Sequence, residues 1–281
     1  MSAASKPVCR RGSVAAGLFS VYEVIAMALG LGMLALLCLA WVPVALPLSV
    51  LLPRKSGRRL GRWMISAGFR FYLWFLSVFC YFRFEVSELD QLRHDEPLIV
   101  VANHPSLLDA VILLSRFPNM VCVMKAALAK NVLFGAGARL ARYICNDLPL
   151  ELVLRAREEL SDGGQLLLFP EGTRTTRLPV NPCSGSTGLI SSRTGVPVQT
   201  LLIEYNAPYL GKDCPLFRPP KLPLSVEIRV GRRFPPPQDV LAFTEELEHY
   251  FRDALTEPAA SVTPSEKSAV AMAPVATASR K

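Results

Sequence analysis

The hydrophobic pattern of the chain changes character near residue 82. Before that point it is dominated by long apolar stretches. No charged residue occurs between Glu23 and Arg54. A run of that length can cross a bilayer, which needs about 20 apolar residues. Gly30 and Gly32 loosen it, and Pro43 and Pro47 are expected to break it. Lys6, Arg10 and Arg11 precede the run, and Arg54, Lys55, Arg58, Arg59 and Arg62 follow it. With basic residues at both ends, the positive-inside bias gives no direction. A single span and a re-entrant segment with both ends on the cytoplasmic side both fit. A cleaved signal peptide fits less well, because the run is too long and a strong basic cluster follows it. A second apolar block, Phe71–Phe82, is rich in aromatics and bounded by Arg70 and Arg83. It is too short to span. Its composition suits a membrane interface, and a buried core helix would show the same pattern.

Beyond residue 82, short β-like runs alternate with helical ones. Strands are expected at Phe82–Ser87, Leu98–Ala102, Val121–Met124, Tyr143–Asn146, Gln165–Phe169, Val198–Tyr205 and Ser225–Val230. Helices are expected at Ser106–Ser115, Lys125–Ala141, Leu150–Ser161, Ser186–Arg193 and Gln238–Ala254. Strands separated by helices argue for an α/β sheet. The chain then divides into an N-terminal extension (1–17), a membrane-associated helical segment (18–82), an α/β domain (83–256) and a tail (257–281). The tail is Ala, Ser, Pro and Thr with little to bury, which predicts disorder.

Composition agrees with this division. Hydrophobic residues make up 51% of the 281 and charged residues 19%, too apolar for an ordinary soluble domain. The net charge of +8 suits anionic surfaces or phosphorylated ligands. No basic stretch is interleaved with stacking aromatics, so a nucleic-acid partner is not expected. The seven cysteines include no Cys-x-x-Cys pair, and several lie in apolar runs. They read as reduced thiols, and no metal-ligand spacing is present.

Two polar turns each follow an apolar strand. The first is Asn103–His104–Pro105–Ser106–Leu107–Leu108–Asp109. On one continuous helix, His104 and Asp109 would lie about 140° apart and would not face each other. Pro105 suits a first helical position, which puts His104 outside the helix and Asp109 in its early turns. The imidazole can then fold back over the carboxylate. Asp109 would fix the tautomer and leave the other ring nitrogen as a general base. A helix cap paired with a first-turn acid would leave the same trace. The second turn is Phe169–Pro170–Glu171–Gly172–Thr173–Arg174. Arg174 is a planar donor suited to phosphate. Glu171 could bind an acceptor hydroxyl or hold Arg174, and Gly172 permits a tight turn. A surface salt bridge at a strand end is the plainer reading. His94 and His249 lie in a polar turn and a late amphipathic helix, where no catalytic role is expected.

Together the two turns resemble the Asn-His-x-Ser-x-x-Asp and Phe-Pro-Glu-Gly-Thr-Arg blocks of the PlsC-like lysophosphatidic acid acyltransferase family. The resemblance covers about residues 98–206. It implies a glycerolipid acyltransferase fold, with a mixed central sheet flanked by helices and an N-terminal membrane-embedded segment. It implies that His104 is the base and Asp109 its partner, and that Glu171, Gly172, Thr173 and Arg174 bind the acceptor's glycerol phosphate. The acyl donor would be acyl-CoA or acyl-ACP, with no further cofactor and no metal. The acceptor would be a lysophospholipid, most simply 1-acyl-glycerol-3-phosphate, and the enzyme would sit on the cytoplasmic membrane, facing the cytoplasm. Two departures bear on the acceptor. The family's Ile-Asp-Arg strand end corresponds to Cys145–Asn146–Asp147, with Asp147 in place of Arg. Its Val-Pro-x-x-Pro block corresponds to Val196–Thr200, with Thr200 in place of the second Pro. Lyso-ornithine lipid is therefore an alternative acceptor. A non-catalytic lipid-binding scaffold of the same fold is the alternative from another class.

Overall fold

The computed structural model describes residues 13–95 and 97–256, with side chains from residue 17 onward. The tail 257–281 and most of the N-terminal extension lie outside the described residues. Two long helices come first, α1 (Ser13–Leu51) and α2 (Arg54–Phe79). Then follow β1 (Phe82–Glu85), β2 (Leu98–Ala102), α3 (Leu108–Arg116), β3 (Met120–Met124), α4 (Ala126–Ala129), α5 (Gly135–Ala141), β4 (Ile144–Cys145), α6 (Pro149–Ser161), β5 (Gln165–Leu168), α7 (Ser186–Thr194), β6 (Val198–Tyr205), β7 (Leu224–Phe234) and α8 (Val240–Thr256).

The strands form one sheet in the order β1-β7-β6-β2-β5-β3-β4. Strands β6, β2, β5, β3 and β4 run parallel, and β7 and β1 run against them. The sheet is therefore mixed, as the resemblance implies. Helices cover both faces, so β2 and β5 are buried along their whole length, and β2 reads as an unbroken apolar run. One core lies beneath α2 and α3, and the other beneath α6, α7 and α8.

Three expectations fail for identifiable reasons. Helix α1 continues through Pro43 and Pro47. An apolar helix tolerates the lost donors through small local adjustments, because no other pairing is open to its backbone. The expected helix at 125–141 is interrupted between α4 and α5. A Cβ at Gly135 would sit 2.3 Å from the Ala129 carbonyl oxygen, so the chain turns back there at a close approach only glycine permits. Helix α3 starts at Leu108, so Pro105 precedes it.

The basic cluster also divides. Arg62 is 3% exposed. Its Nη2 pairs with Glu159 Oε2 at 2.7 Å, and its Nε donates to the Ala141 carbonyl. Arg58 pairs with Glu159 and Asp162 at 3.0 and 2.8 Å. These two arginines bolt α2 onto the end of α6, whereas Arg54, Lys55 and Arg59 remain exposed. Glycines let the helices approach closely. Gly61 lies against the backbone of Leu140 and Ala141, and Gly137 lies against Trp41.

Candidate active site

Strands β2 and β5 are adjacent and parallel. Their carboxyl ends therefore deliver both polar turns to one edge of the sheet, where open α/β sheets place their sites. Asn103 fixes the first turn. Its amide donates to the Ile203 carbonyl at 2.9 Å and accepts from the Ile203 N–H at 2.8 Å, clamping the strand end to β6.

His104 and Asp109 meet as expected. Nδ1 of His104 lies 2.8 Å from Asp109 Oδ2. The Asp109 side chain is fully buried and that of His104 is 15% exposed. The Ser106 N–H donates to the same Oδ2 at 2.8 Å, and the Tyr205 hydroxyl donates to Oδ1 at 2.7 Å. The Asp109 carboxylate is thus held from three directions. Burial, and then the Asp109 charge, keep the Tyr205 phenol well above the usual tyrosine range, so it stays a neutral donor. The imidazole stacks on Phe169, with centroids 3.9 Å apart and planes 17° apart. Its Nε2 makes no hydrogen bond among the described residues.

The second turn is locked to the first. Glu171 Oε1 accepts from the His104 N–H at 2.8 Å and from the Thr175 hydroxyl at 2.7 Å. Its Oε2 accepts from the Asn181 N–H at 2.9 Å. The Thr175 N–H in turn donates to the His104 carbonyl at 2.7 Å. Glu171 therefore binds the backbone that carries His104, rather than clamping Arg174. Gly172 supplies the left-handed conformation of the turn (φ 63°) and is exposed. Thr173 and Arg174 are half-buried beside it. Arg174 Nη1 donates to the carbonyls of Leu210 and Gly211 at 2.9 and 2.7 Å. That leaves the rest of its guanidinium for an anion.

The structure brings all six expected residues into one region. It adds Tyr205, Glu171's partner Asn181 and the Leu210–Gly211 turn, which motif spacing does not reveal. Asp147 is exposed just beyond β4, which is separated from β2 by β5 and β3. The six cysteines among the described residues are free thiols.

An α/β sheet with a His–Asp pair and a guanidinium turn at one edge is the layout of an enzyme, and comparison with known proteins says of which class. Residues 83–204 match the acyltransferase family model. A lyso-ornithine lipid O-acyltransferase of Pseudomonas aeruginosa is 30% identical over 202 residues, 66% of this chain and 70% of that one. A 1-acyl-sn-glycerol-3-phosphate acyltransferase of the same organism is 27% identical over 176 residues, 60% of this chain and 66% of that one. The chain spans just under two thirds of the latter's length. The crystal structure of the 1-acyl-sn-glycerophosphate (LPA) acyltransferase PlsC from Thermotoga maritima superposes with a TM-score of 0.64 at 20% identity, covering 87% of this chain and 99% of that one. The chain belongs to the acyltransferase family.

Proposed function

We propose that the chain transfers a fatty acyl group from an acyl-thioester to the free hydroxyl of a lysophospholipid. The observation that carries this reading is the His104 ring, tethered through Nδ1 with Nε2 open, beside the Arg174 turn. Nε2 takes the acceptor's hydroxyl proton as its oxygen attacks the thioester carbonyl carbon. The tetrahedral intermediate collapses, the carbon–sulfur bond breaks, and the thiolate leaves with the proton returned by the imidazolium. Asp109 stabilises that imidazolium. Arg174, with Thr173 and Gly172, holds the acceptor's phosphate, and Glu171 keeps the two turns in register. The donor is acyl-CoA or acyl-ACP, and no further cofactor is needed.

The acceptor favoured by the Arg174 site is 1-acyl-glycerol-3-phosphate. Lyso-ornithine lipid is the second reading, favoured by Asp147 in place of an arginine and by the 30% identical relative. A panel of both acceptors with both donors, given to the purified chain, tests the assignment. Product from neither acceptor would leave the scaffold reading.

Helix α1 is long and apolar enough to cross a membrane by length and composition, and the domain would face the cytoplasm. Yet α1 touches the domain near both ends. Glu23 accepts from the Leu222 N–H at 3.1 Å, and Ala45 packs with Ala136 and Leu140 of α5. At 1.5 Å per residue, those contacts lie about 33 Å apart along the helix. Such a helix runs alongside its domain rather than away from it, which favours an embedded hairpin with α2 over a simple span. Its exposed Leu18, Phe19, Leu29 and Leu36 then meet lipid, together with Phe71 and Trp74 of α2.

A further inference from the structure

The loop between β6 and β7 carries features that the reaction itself does not use. It begins at the sheet edge that holds the site, because Tyr205 at the end of β6 pairs with Val226 near the start of β7. Leu210 is buried yet left-handed (φ 50°), a strained state for a leucine. The strain aims its carbonyl at two donors, Arg174 Nη1 at 2.9 Å and the Leu107 N–H at 3.2 Å. The base of the loop is therefore part of the Arg174 clamp.

The tip of the loop lies beyond this base. The Arg218 N–H donates to the Pro215 carbonyl at 3.0 Å and closes a four-residue turn. The two central positions are Leu216 and Phe217, which are 49% and 72% exposed. Around them Lys212, Arg218 and Lys221 are exposed, with Asp213 the one acid. The far end of the loop returns to α1 through the Leu222 N–H and Glu23. Next to that point, the Tyr22 hydroxyl donates to the Phe79 carbonyl at the end of α2. The loop thus returns to α1 beside exposed Leu18, Phe19 and Val21, with exposed Phe79 of α2 at the same end.

We propose that the Pro215–Arg218 turn is a third lipid contact that inserts Leu216 and Phe217 into an anionic bilayer surface and sets Arg174 at headgroup depth. This rests on the lysolipid reading above. A bilayer is the occupant chosen because the tip continues the apolar surface of α1 and α2, and because its basic rim complements anionic headgroups.

The test uses the full chain in phosphatidylcholine–phosphatidylglycerol vesicles. Phe217→Trp adds a reporter to the three native tryptophans, and its added emission is read against wild type. Bromine-labelled acyl chains should quench that emission, whether or not the protein shows activity. Unquenched emission overturns the proposal. In parallel, L216S/F217S should raise the KM for a long-chain lysolipid in vesicles about tenfold, and R218A/K221A about fivefold or more. Neither should change turnover of a short-chain, water-soluble lysolipid. Equal losses on both substrates would mark a structural role only. A raised KM for acyl carrier protein instead would mark a protein dock. Either overturns the proposal. No turnover by wild type, with quenching intact, would count against the function and not against the lipid contact.

Discussion

The two motif turns are held by hydrogen bonds between polar groups withdrawn from water, whereas the two N-terminal helices are held mainly by apolar packing and leave many of their large apolar side chains outside. In the first region Asp109 and Glu171 each accept three bonds at 2.7–2.9 Å. In the second, Gly30, Gly61 and Ala45 make close approaches and Tyr72, Leu73 and Leu76 are buried, while Leu18, Leu29, Leu36, Phe71 and Trp74 face out. Polar cross-links fix a geometry to fractions of an ångström, which proton transfer needs. Apolar packing fixes only an approach, which an anchor needs. Arg58 and Arg62 join the regions, since they rise from the anchor and end on α6.

If the two regions divide the work in this way, changes in the turns should remove activity without releasing the protein from membranes. The largest effect is expected from His104→Ala, which should lower kcat by about 10²–10⁴ with vesicle attachment unchanged on flotation. Breaking the join should act on stability. Glu159→Gln leaves Arg62 buried beside a neutral partner and should cost about 3–5 kcal/mol, read as a lower unfolding midpoint in detergent. Arg174→Ala should raise the acceptor KM by about tenfold to a hundredfold for a phosphate-bearing lysolipid, with a much smaller change for an acceptor lacking phosphate. That contrast separates the two acceptor readings.

Tyr205→Phe is the smallest and most informative change. It removes one donor from Asp109, a loss of about 1–2 kcal/mol, so kcat should fall about tenfold with KM little changed. The raised Tyr205 value also has a stability consequence. Its contribution is complete below about pH 10, where the unfolded phenol is still protonated. It is lost as pH climbs from there toward the raised folded value. Alkaline unfolding should therefore be shallower in the Phe variant.

Much of this was legible in the chain because its signals are local. Strands Leu98–Ala102 and Val198–Tyr205 were placed to the residue, the first because a fully buried strand is a continuous apolar run and the second from its Leu201–Ile203 apolar centre. His104 and Asp109 were placed together by reading His104 outside the helix and Asp109 in its early turns, although Pro105 lies ahead of the first helical residue. What stayed hidden depends on partners far away in sequence. Arg62 reads as one more basic residue flanking the apolar run until Glu159, 97 residues on, is seen beside it. Tyr205 reads as a strand end until the register of β6 against β2 sets it over Asp109, 96 residues earlier. The Leu210 carbonyl carries no sequence signal at all, because its role comes from a backbone angle.

The central claim is that His104 activates a lysolipid hydroxyl for acyl transfer. Its most direct test is one radiolabelled acyl-thioester assay in vesicles, with wild type and His104→Ala side by side on 1-acyl-glycerol-3-phosphate and lyso-ornithine lipid. The account predicts a labelled diacyl product from wild type with at least one acceptor, and only background from the variant. Equal product from both proteins would contradict it.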